Sequence, residues 1–178
     1  MNLPNKLTIA RIIAVPFFIA AYYLEWHLVA FLIFIAASFT DMLDGKIARK
    51  YNLVTNFGKI MDPLADKILV YSALCLFIES GLIKAWMLIL ILAREFIIAG
   101  MRTVAASEGR VLAAGMSGKI KTVLQMFAVI AYLLALSVPE GPKATITLVA
   151  NVIFWAALVM TVYSGCEYVI KNKDIFSM

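Results

Sequence analysis

Four aspartates between positions 41 and 66 are the residues of this chain whose types and spacing could do chemistry. Asp41 and Asp44 are three positions apart, and Asp62 and Asp66 are four positions apart. Successive residues of an α-helix are rotated by about 100°, so the members of each pair lie on one helix face. Two helices joined by a turn could therefore direct all four carboxylates into one volume.

Four carboxylates balance the charge of two divalent cations, and oxygen ligands suit Mg²⁺, Mn²⁺ or Ca²⁺. Two ions a few ångströms apart are a known arrangement for phosphoryl displacement. We therefore predict a site for two divalent cations, Mg²⁺ or Mn²⁺, held by the four aspartates. A solvated acidic loop is the other interpretation. It is disfavoured because both pairs have helical spacing and lie beside long apolar runs, where an unpartnered carboxylate is costly.

The elements that position these aspartates are predicted to be membrane helices. The chain has 178 residues, of which 63% are hydrophobic, and its mean hydropathy is +0.93. Soluble domains are about 45–50% apolar, and a spanning helix needs about 20 mostly apolar residues. Backbone groups in lipid must be hydrogen-bonded within the segment, which favours helices. We predict one all-α integral membrane domain, residues 1–178, with six transmembrane helices.

The first predicted span lies in the N-terminal 24 residues, where the sequence becomes apolar after Arg11. The other five run from about Leu28 to Ala48, from Asp62 to about Glu79, from Ile83 to Ala105, from Ile120 to Val138 and from Ala144 to Val169. Pro139 to Pro142 is predicted to be a turn. Cys75 and Cys166 lie in apolar stretches without metal or redox spacing, and we expect both to be core thiols.

The distribution of basic residues predicts the topology. With the N-terminus inside, only Lys84 and Lys143 of the sixteen lysines and arginines fall in outer turns. This asymmetry obeys the positive-inside rule. We expect a multi-pass protein of the inner (plasma) membrane with a cytoplasmic aspartate site. The net charge of +5 fits membrane lipids and anionic substrates better than nucleic acid, for which no role is expected.

The aspartates also belong to a longer pattern, which reads Asp41-x2-Asp44-Gly45-x2-Ala48-Arg49-x8-Gly58-x3-Asp62-x3-Asp66. At each fixed position this pattern resembles the signature of the CDP-alcohol phosphotransferases, membrane enzymes that make phospholipid head groups. In that family an alcohol attacks the β-phosphorus of a CDP-linked donor and CMP leaves. The resemblance implies that Asp41, Asp44 and Asp62 are the principal metal ligands. It implies that Asp66 is the catalytic base and a further metal ligand.

The resemblance also implies a binding site for a CDP-lipid such as CDP-diacylglycerol. The residues implied within and beside the signature are Asp44, Gly45, Ala48, Arg49, Gly58 and Lys67. Lys67 has an equally good interpretation as a cation that reaches the membrane surface. An N-terminal pattern, Pro4-Asn5-x2-Thr8-x2-Arg11, resembles an element of many of these synthases and adds Asn5 and Thr8.

Segments outside the signature resemble bacterial phosphatidylglycerophosphate synthases and imply sn-glycerol 3-phosphate as the acceptor. These segments are Ala93-Arg94-Glu95, Arg102, Gly118-Lys119-Ile120-Lys121-Thr122 and Gln125-Met126. The acceptor is a dianion and attracts several cations. The candidates are Arg94, Arg102, Arg110, Lys119 and Lys121. Ordinary cytoplasmic loop charge explains the last four equally well, whereas Arg94 lies deep in its span. Because adjacent residues do not share a helix face, we expect Arg94 and Glu95 to find different partners.

Other functions remain open at this point. Within the family, the acceptor could belong to cardiolipin, inositol-phosphate or serine head-group synthesis. A cation transporter would also place carboxylates in membrane helices, although it would not need Gly and Ala at fixed spacing. A structural scaffold would not need clustered aspartates. The last two spans carry no recognised chemistry and are expected to support a homodimer.

Overall fold

Six α-helices follow one another in a computed structural model, which describes residues 3–50, 55–113 and 115–176. Within these ranges, the side chains at positions 3, 4, 41–50, 56, 59 and 176 lie outside the description. The helices are α1 (Leu3–Tyr23), α2 (His27–Lys50), α3 (Asn56–Glu79), α4 (Ala85–Ser107), α5 (Met116–Ser137) and α6 (Glu140–Lys171), followed by a 3₁₀ turn (Lys173–Phe176). The described residues contain no strand, so the all-α prediction is confirmed for them.

Three of the described helical segments are long and apolar enough to cross a membrane, judged by length and composition alone. These are Asn5–Tyr23, Met116–Ser137 and Glu140–Lys171. The apolar stretch of α2 whose side chains are described, His27–Thr40, is shorter. Charged residues, including Arg94 and Glu95, interrupt the apolar sequence of α4. The apolar helices indicate a membrane protein.

Three helices begin earlier than predicted. Helix α5 begins at Met116 rather than near Ile120. The other two differ for identifiable local reasons. Helix α3 begins at Asn56 rather than near Asp62, because the Thr55 side chain accepts a hydrogen bond from the Gly58 N–H and caps the helix. Helix α6 begins at Glu140, inside the predicted turn. Pro142 fits there because the first-turn N–H groups of a helix have no partner within it.

The core is a cluster of aromatic and aliphatic side chains shared by all six helices. Tyr132 of α5 lies at its centre, with its ring centroid 5.2 Å from that of Phe77 and 6.1 Å from that of Phe154. Phe18 and Phe34 form a similar tilted pair, at 5.9 Å, between α1 and α2. Helix α1 packs against α2 and α3, α5 packs against α2 and α6, and α4 packs against α6. The last of these contacts brings α6 to the site described below.

The exterior of the bundle is also apolar, with exposed side chains such as Phe96, Phe127 and Leu148. Cys75 and Cys166 are exposed too, so the prediction of two core thiols is wrong. The reason is that lipid is as apolar as the protein core, and an apolar stretch therefore does not reveal which side chains face inward.

Candidate functional site

The beginning of α3 is joined to the beginning of α1 by a chain of hydrogen bonds. Thr55 donates to Asn5 Oδ1 over 2.9 Å while its hydroxyl oxygen accepts from the Gly58 N–H over 3.0 Å. One turn later, the Thr8 hydroxyl donates to the carboxylate of Asp62. Asn5 and Thr8 are both buried. The structure thus brings together three residues predicted for the donor site, Asn5, Thr8 and Gly58, with the predicted metal ligand Asp62. It adds Thr55, which the sequence analysis missed.

Gly58 lies beside these polar contacts between α1 and α3. A Cβ atom at this position would be 3.3 Å from Asp62 Oδ2 and 3.4 Å from Asn5 Oδ1. Both distances are at or below the usual limit for a Cβ contact, so a larger residue would press on the carboxylate and the amide. The glycine therefore leaves room for the polar groups around Asp62.

Asp66 lies one turn beyond Asp62 and lines a cavity of about 170 Å³. Lys67, Glu95 and Lys121 line the same cavity. Since Asp62 and Asp66 have i,i+4 spacing in a continuous helix, they share one face of α3. This placement agrees with the predicted pairing of the two carboxylates.

The other half of the predicted metal site lies at the end of α2, where the backbone is helical through Lys50. The side chains of Asp41, Asp44, Gly45, Ala48 and Arg49 lie outside the described residues. Among the side chains that are described, no three metal-ligating groups come together. Asp62 and Asp66 offer hard carboxylate oxygens, which fit Mg²⁺ or Mn²⁺.

Glu95 is the shared partner of three cations. Its carboxylate lies 2.8 Å from Lys121 Nζ, 2.9 Å from Arg94 Nη1 and 3.0 Å from Lys67 Nζ. The expectation that Arg94 and Glu95 find different partners is therefore wrong, because both side chains are long enough to meet beside the helix. Sequence reasoning did not assign Glu95 to the site. The sequence signal that could have identified Glu95 is its position in an apolar stretch, because a carboxylate there needs a partner.

A second cavity, of about 650 Å³, adjoins the first one and shares Lys67 and Glu95 with it. It lies between α3, α4, the beginning of α5 and the end of α6. Arg94, Arg102 and Lys119, three of the five predicted acceptor-binding cations, line it. Among the described residues, five basic side chains and two carboxylates line this cavity, so it carries an excess of positive charge.

Helix α6 contributes residues that the sequence analysis did not assign to the site. Tyr168 accepts a hydrogen bond of 3.1 Å from Arg102 Nε, and the Arg102 guanidinium lies 5.5 Å from the centre of the Tyr168 ring. Glu167 accepts hydrogen bonds from Ser117 and Lys171, each 2.5 Å long. These contacts depend on how α6 packs against α4 and α5, which no local pattern encodes.

The remaining two predicted acceptor residues are placed elsewhere. Lys121 is buried, donates to Glu95 and lines only the smaller of the two cavities. Arg110 lies beyond the end of α4, and its Nη2 is 2.5 Å from the Asp174 carboxylate. This hydrogen bond lowers the pKa of Asp174 below its ordinary value.

The arrangement combines groups suited to phosphoryl transfer between charged substrates. A carboxylate, Asp66, lines one cavity and could accept a proton there. The larger cavity beside it has the charge and the volume to receive a small anion. The described contacts of Asp62 place a further carboxylate on the same helix face, at the junction of α1 and α3.

Comparison with known proteins agrees with the aspartate pattern. Residues 1–163 match the family model described as CDP-alcohol phosphatidyltransferase. The chain is 45% identical, over 191 aligned positions, to the CDP-diacylglycerol–glycerol-3-phosphate 3-phosphatidyltransferase of Bacillus subtilis, with 97% of this chain and 96% of the relative covered. It is 40% identical to the protein of the same name from Rickettsia bellii, with 98% and 97% covered.

A third relative is the probable phosphatidylglycerophosphate synthase of Mycobacterium tuberculosis. The two chains are 38% identical, and the alignment covers 98% of this chain and 83% of the relative. The matches extend over nearly the whole sequence and include both the aspartate signature and the segments that line the larger cavity. The family that the signature from Asp41 to Asp66 resembles is thereby confirmed, and the chain belongs to the CDP-alcohol phosphatidyltransferase family.

Proposed function

We propose that this protein transfers the phosphatidyl group of CDP-diacylglycerol to sn-glycerol 3-phosphate, releasing CMP and forming phosphatidylglycerophosphate. The observation that carries the proposal is the pair of adjoining cavities. One is lined by Asp66, and the other is lined by predicted acceptor-binding cations. The names of the relatives, whose alignments cover nearly the whole chain, support the same donor and acceptor.

The donor is proposed to bind at the junction of α1, α2 and α3. Asn5, Thr8 and Gly58 lie around Asp62 there. The predicted donor contacts on α2 are Asp44, Gly45, Ala48 and Arg49. Lys67 completes the proposed set from the next turn of α3, where it also lines both cavities.

Asp41, Asp44, Asp62 and Asp66 are proposed to hold two divalent cations, Mg²⁺ or Mn²⁺. When bound, such ions supply positive charge to the phosphoryl oxygens and to the leaving phosphate. Other residues of the chain orient the aspartates that would bind the ions. The Thr8 hydroxyl fixes one oxygen of Asp62, and the Thr55 cap fixes the start of the helix that carries both Asp62 and Asp66.

The acceptor phosphate is proposed to bind in the larger cavity. Arg94, Arg102 and Lys119 reach this cavity from α4 and α5. Glycerol 3-phosphate is a dianion, and its charge would be offset by the excess of basic groups in the cavity. Binding the phosphate there would leave the glycerol hydroxyl groups free to extend towards the adjoining cavity.

Asp66 is proposed to accept the proton of the attacking hydroxyl. The hydroxyl oxygen then forms a bond to the β-phosphorus of the donor, and the bond between that phosphorus and the bridging oxygen breaks. CMP departs with the bridging oxygen and its electron pair, while Asp66 returns the proton to solvent. The chain has a single histidine, His27, which lies at the start of α2, whereas the signature begins at Asp41 in the second half of that helix. A covalent route would need an activated nucleophile, so direct attack by the acceptor hydroxyl is the simpler mechanism.

The membrane arrangement completes the proposal. All six helices are proposed to cross the inner (plasma) membrane, with both termini and both cavities on the cytoplasmic side. A water-soluble acceptor and a lipid donor of the inner leaflet could meet there. The protein is also proposed to form a homodimer.

The test is an assay of purified protein in lipid vesicles that contain CDP-diacylglycerol. Labelled glycerol 3-phosphate, inositol phosphate, serine and phosphatidylglycerol would be supplied in turn, and CMP release and labelled lipid measured together. We expect stoichiometric CMP and phosphatidylglycerophosphate with glycerol 3-phosphate. Faster turnover of another acceptor would refute the acceptor assignment. Metal flux into vesicles without CMP release would refute the enzyme proposal and favour the transporter.

A further inference from the structure

The side chain of Arg94 passes between two glycines that lie on different helices. A Cβ atom at Gly118 of α5 would be 2.9 Å from Arg94 Nη2. A Cβ atom at Gly165 of α6 would be 3.0 Å from Arg94 Cγ. Real Cβ contacts as short as the Gly118 distance are almost never found, and the Gly165 distance is tighter than nine in ten of them. An alanine at either position would therefore force the arginine to shift, whereas glycine leaves space for it.

The two glycines contact different parts of the side chain. Gly165 lies on an apolar groove between α4 and α6, whose other residues include Leu90, Ile97 and Val162. Gly118 lies on the positively charged cavity. Arg94 lines both, so its methylene stem begins at the apolar side and its guanidinium ends at the polar side.

The guanidinium is also held by hydrogen bonds. Nη1 lies 2.9 Å from Glu95 Oε1, and Nη2 donates to the Ser164 hydroxyl over 3.1 Å. A guanidinium has five N–H donors, so these two contacts leave donor capacity for a ligand in the cavity. Because the stem and the head are both confined, the side chain loses little freedom when an anion binds.

We propose that Gly118 and Gly165 form a slot that positions Arg94 for the acceptor phosphate and so determine the affinity for phosphorylated acceptors. This inference rests on the proposed function. An alanine at either position would displace the arginine from its contacts with Glu95 and Ser164. The glycines act through Arg94 and are positioning residues rather than contacts of the substrate.

The experiment compares Gly118→Ala and Gly165→Ala with Gly100→Ala and Gly141→Ala. The last two are matched controls, because a Cβ atom at Gly100 of α4 or Gly141 of α6 would have no heavy atom of the described structure within 4 Å. KM for glycerol 3-phosphate, KM for CDP-diacylglycerol and kcat are measured for each variant, together with the thermal unfolding midpoint.

Loss of a charge-assisted contact predicts a rise in KM for glycerol 3-phosphate of roughly tenfold or more for the two slot variants. KM for the CDP-lipid should stay near that of the wild type, and both control variants should behave like the wild type. A general loss of fold would instead lower kcat and change both KM values together. Wild-type KM for glycerol 3-phosphate in both slot variants would overturn the proposal.

The decisive step repeats both substitutions in an Arg94→Ala background. If the glycines act through the arginine, alanine at 118 or 165 should then have no further effect on KM or on the unfolding midpoint. A slot variant that fails to fold should fold again when Arg94 is removed, and failure to do so would overturn the proposal. The unfolding comparison does not depend on the acceptor. If the glycine substitutions and Arg94→Ala are coupled in the unfolding midpoint but the protein does not turn over glycerol 3-phosphate, the slot is upheld and the proposed function is refuted.

Discussion

Replacing Glu95 by glutamine is the most informative perturbation of the charged cluster. The substitution keeps the size of the side chain and removes the charge that Lys67, Arg94 and Lys121 share. Of the three cations, Lys121 is the most dependent on Glu95, because its side chain is only 4% exposed. Lys67 is 41% exposed and can be screened by solvent.

The expected loss of stability follows from this difference in exposure. Removing one partner of a buried ion pair costs about 3–5 kcal/mol, because the other charge is left buried and uncompensated. For a chain of this size each kcal/mol shifts the unfolding midpoint by about 2–4 °C, so Glu95→Gln should lower it by roughly 6–20 °C. Lys67, which solvent can screen, adds little to this loss.

Thermal unfolding in lipid nanodiscs, followed by circular dichroism, measures the effect. The matched control is Glu167→Gln, because Glu167 pairs with Lys171, whose side chain is 70% exposed. This control should change the midpoint far less. The double variant Glu95→Gln/Lys121→Met removes the buried cation as well and should recover a large part of the loss. If the double variant is no more stable than Glu95→Gln, the argument from a buried ion pair is wrong.

Four further outcomes are expected. Thr55→Ala should lower the free energy of unfolding by about 1 kcal/mol through loss of the α3 cap, whereas Thr55→Ser should retain it; equal stability of the two variants would contradict this. Asp66→Asn should lower kcat by roughly 10²–10⁴-fold while CDP-lipid binding survives, and normal turnover would exclude Asp66 as the base. Arg102→Gln should raise KM for glycerol 3-phosphate roughly tenfold. Arg110→Gln should leave this KM unchanged, because the Arg110 side chain pairs with Asp174, and the opposite result for the two variants would place the acceptor site elsewhere. A chelator should abolish CMP release and added Mg²⁺ or Mn²⁺ should restore it, so full turnover in excess chelator would remove the metals from the mechanism.

The sequence alone predicted those features that depend on local spacing. The helical spacing of Asp62 and Asp66 placed both carboxylates on one helix, and the structure agrees. The depth of Arg94 in apolar sequence placed it inside α4, and the structure agrees, although Arg102 and Lys119 line the same cavity. Long apolar runs predicted the helical membrane domain, although they placed the start of α3 too late because the Thr55 cap was overlooked.

Features that depend on contacts between distant segments could not be predicted. Ser164, Glu167 and Tyr168 join the site only because α6 packs against α4 and α5. The spacing rule for neighbouring residues failed at Arg94 and Glu95, since it describes the directions of Cβ atoms and not the reach of long side chains. The exposed positions of Cys75 and Cys166 could not be read from composition, because lipid and core are equally apolar.

The arrangement around Glu95 links stability to substrate binding. Three cations in apolar surroundings would repel one another, and one shared carboxylate reduces this repulsion without removing the net positive charge. Three positive charges and one negative charge leave the cluster with an excess of positive charge, which would attract a phosphate dianion in the adjoining cavity. A single carboxylate in α4 can therefore make the cluster stable before the acceptor arrives and still leave it attractive to a phosphate. A second carboxylate at this place would stabilise the cluster further and weaken that attraction.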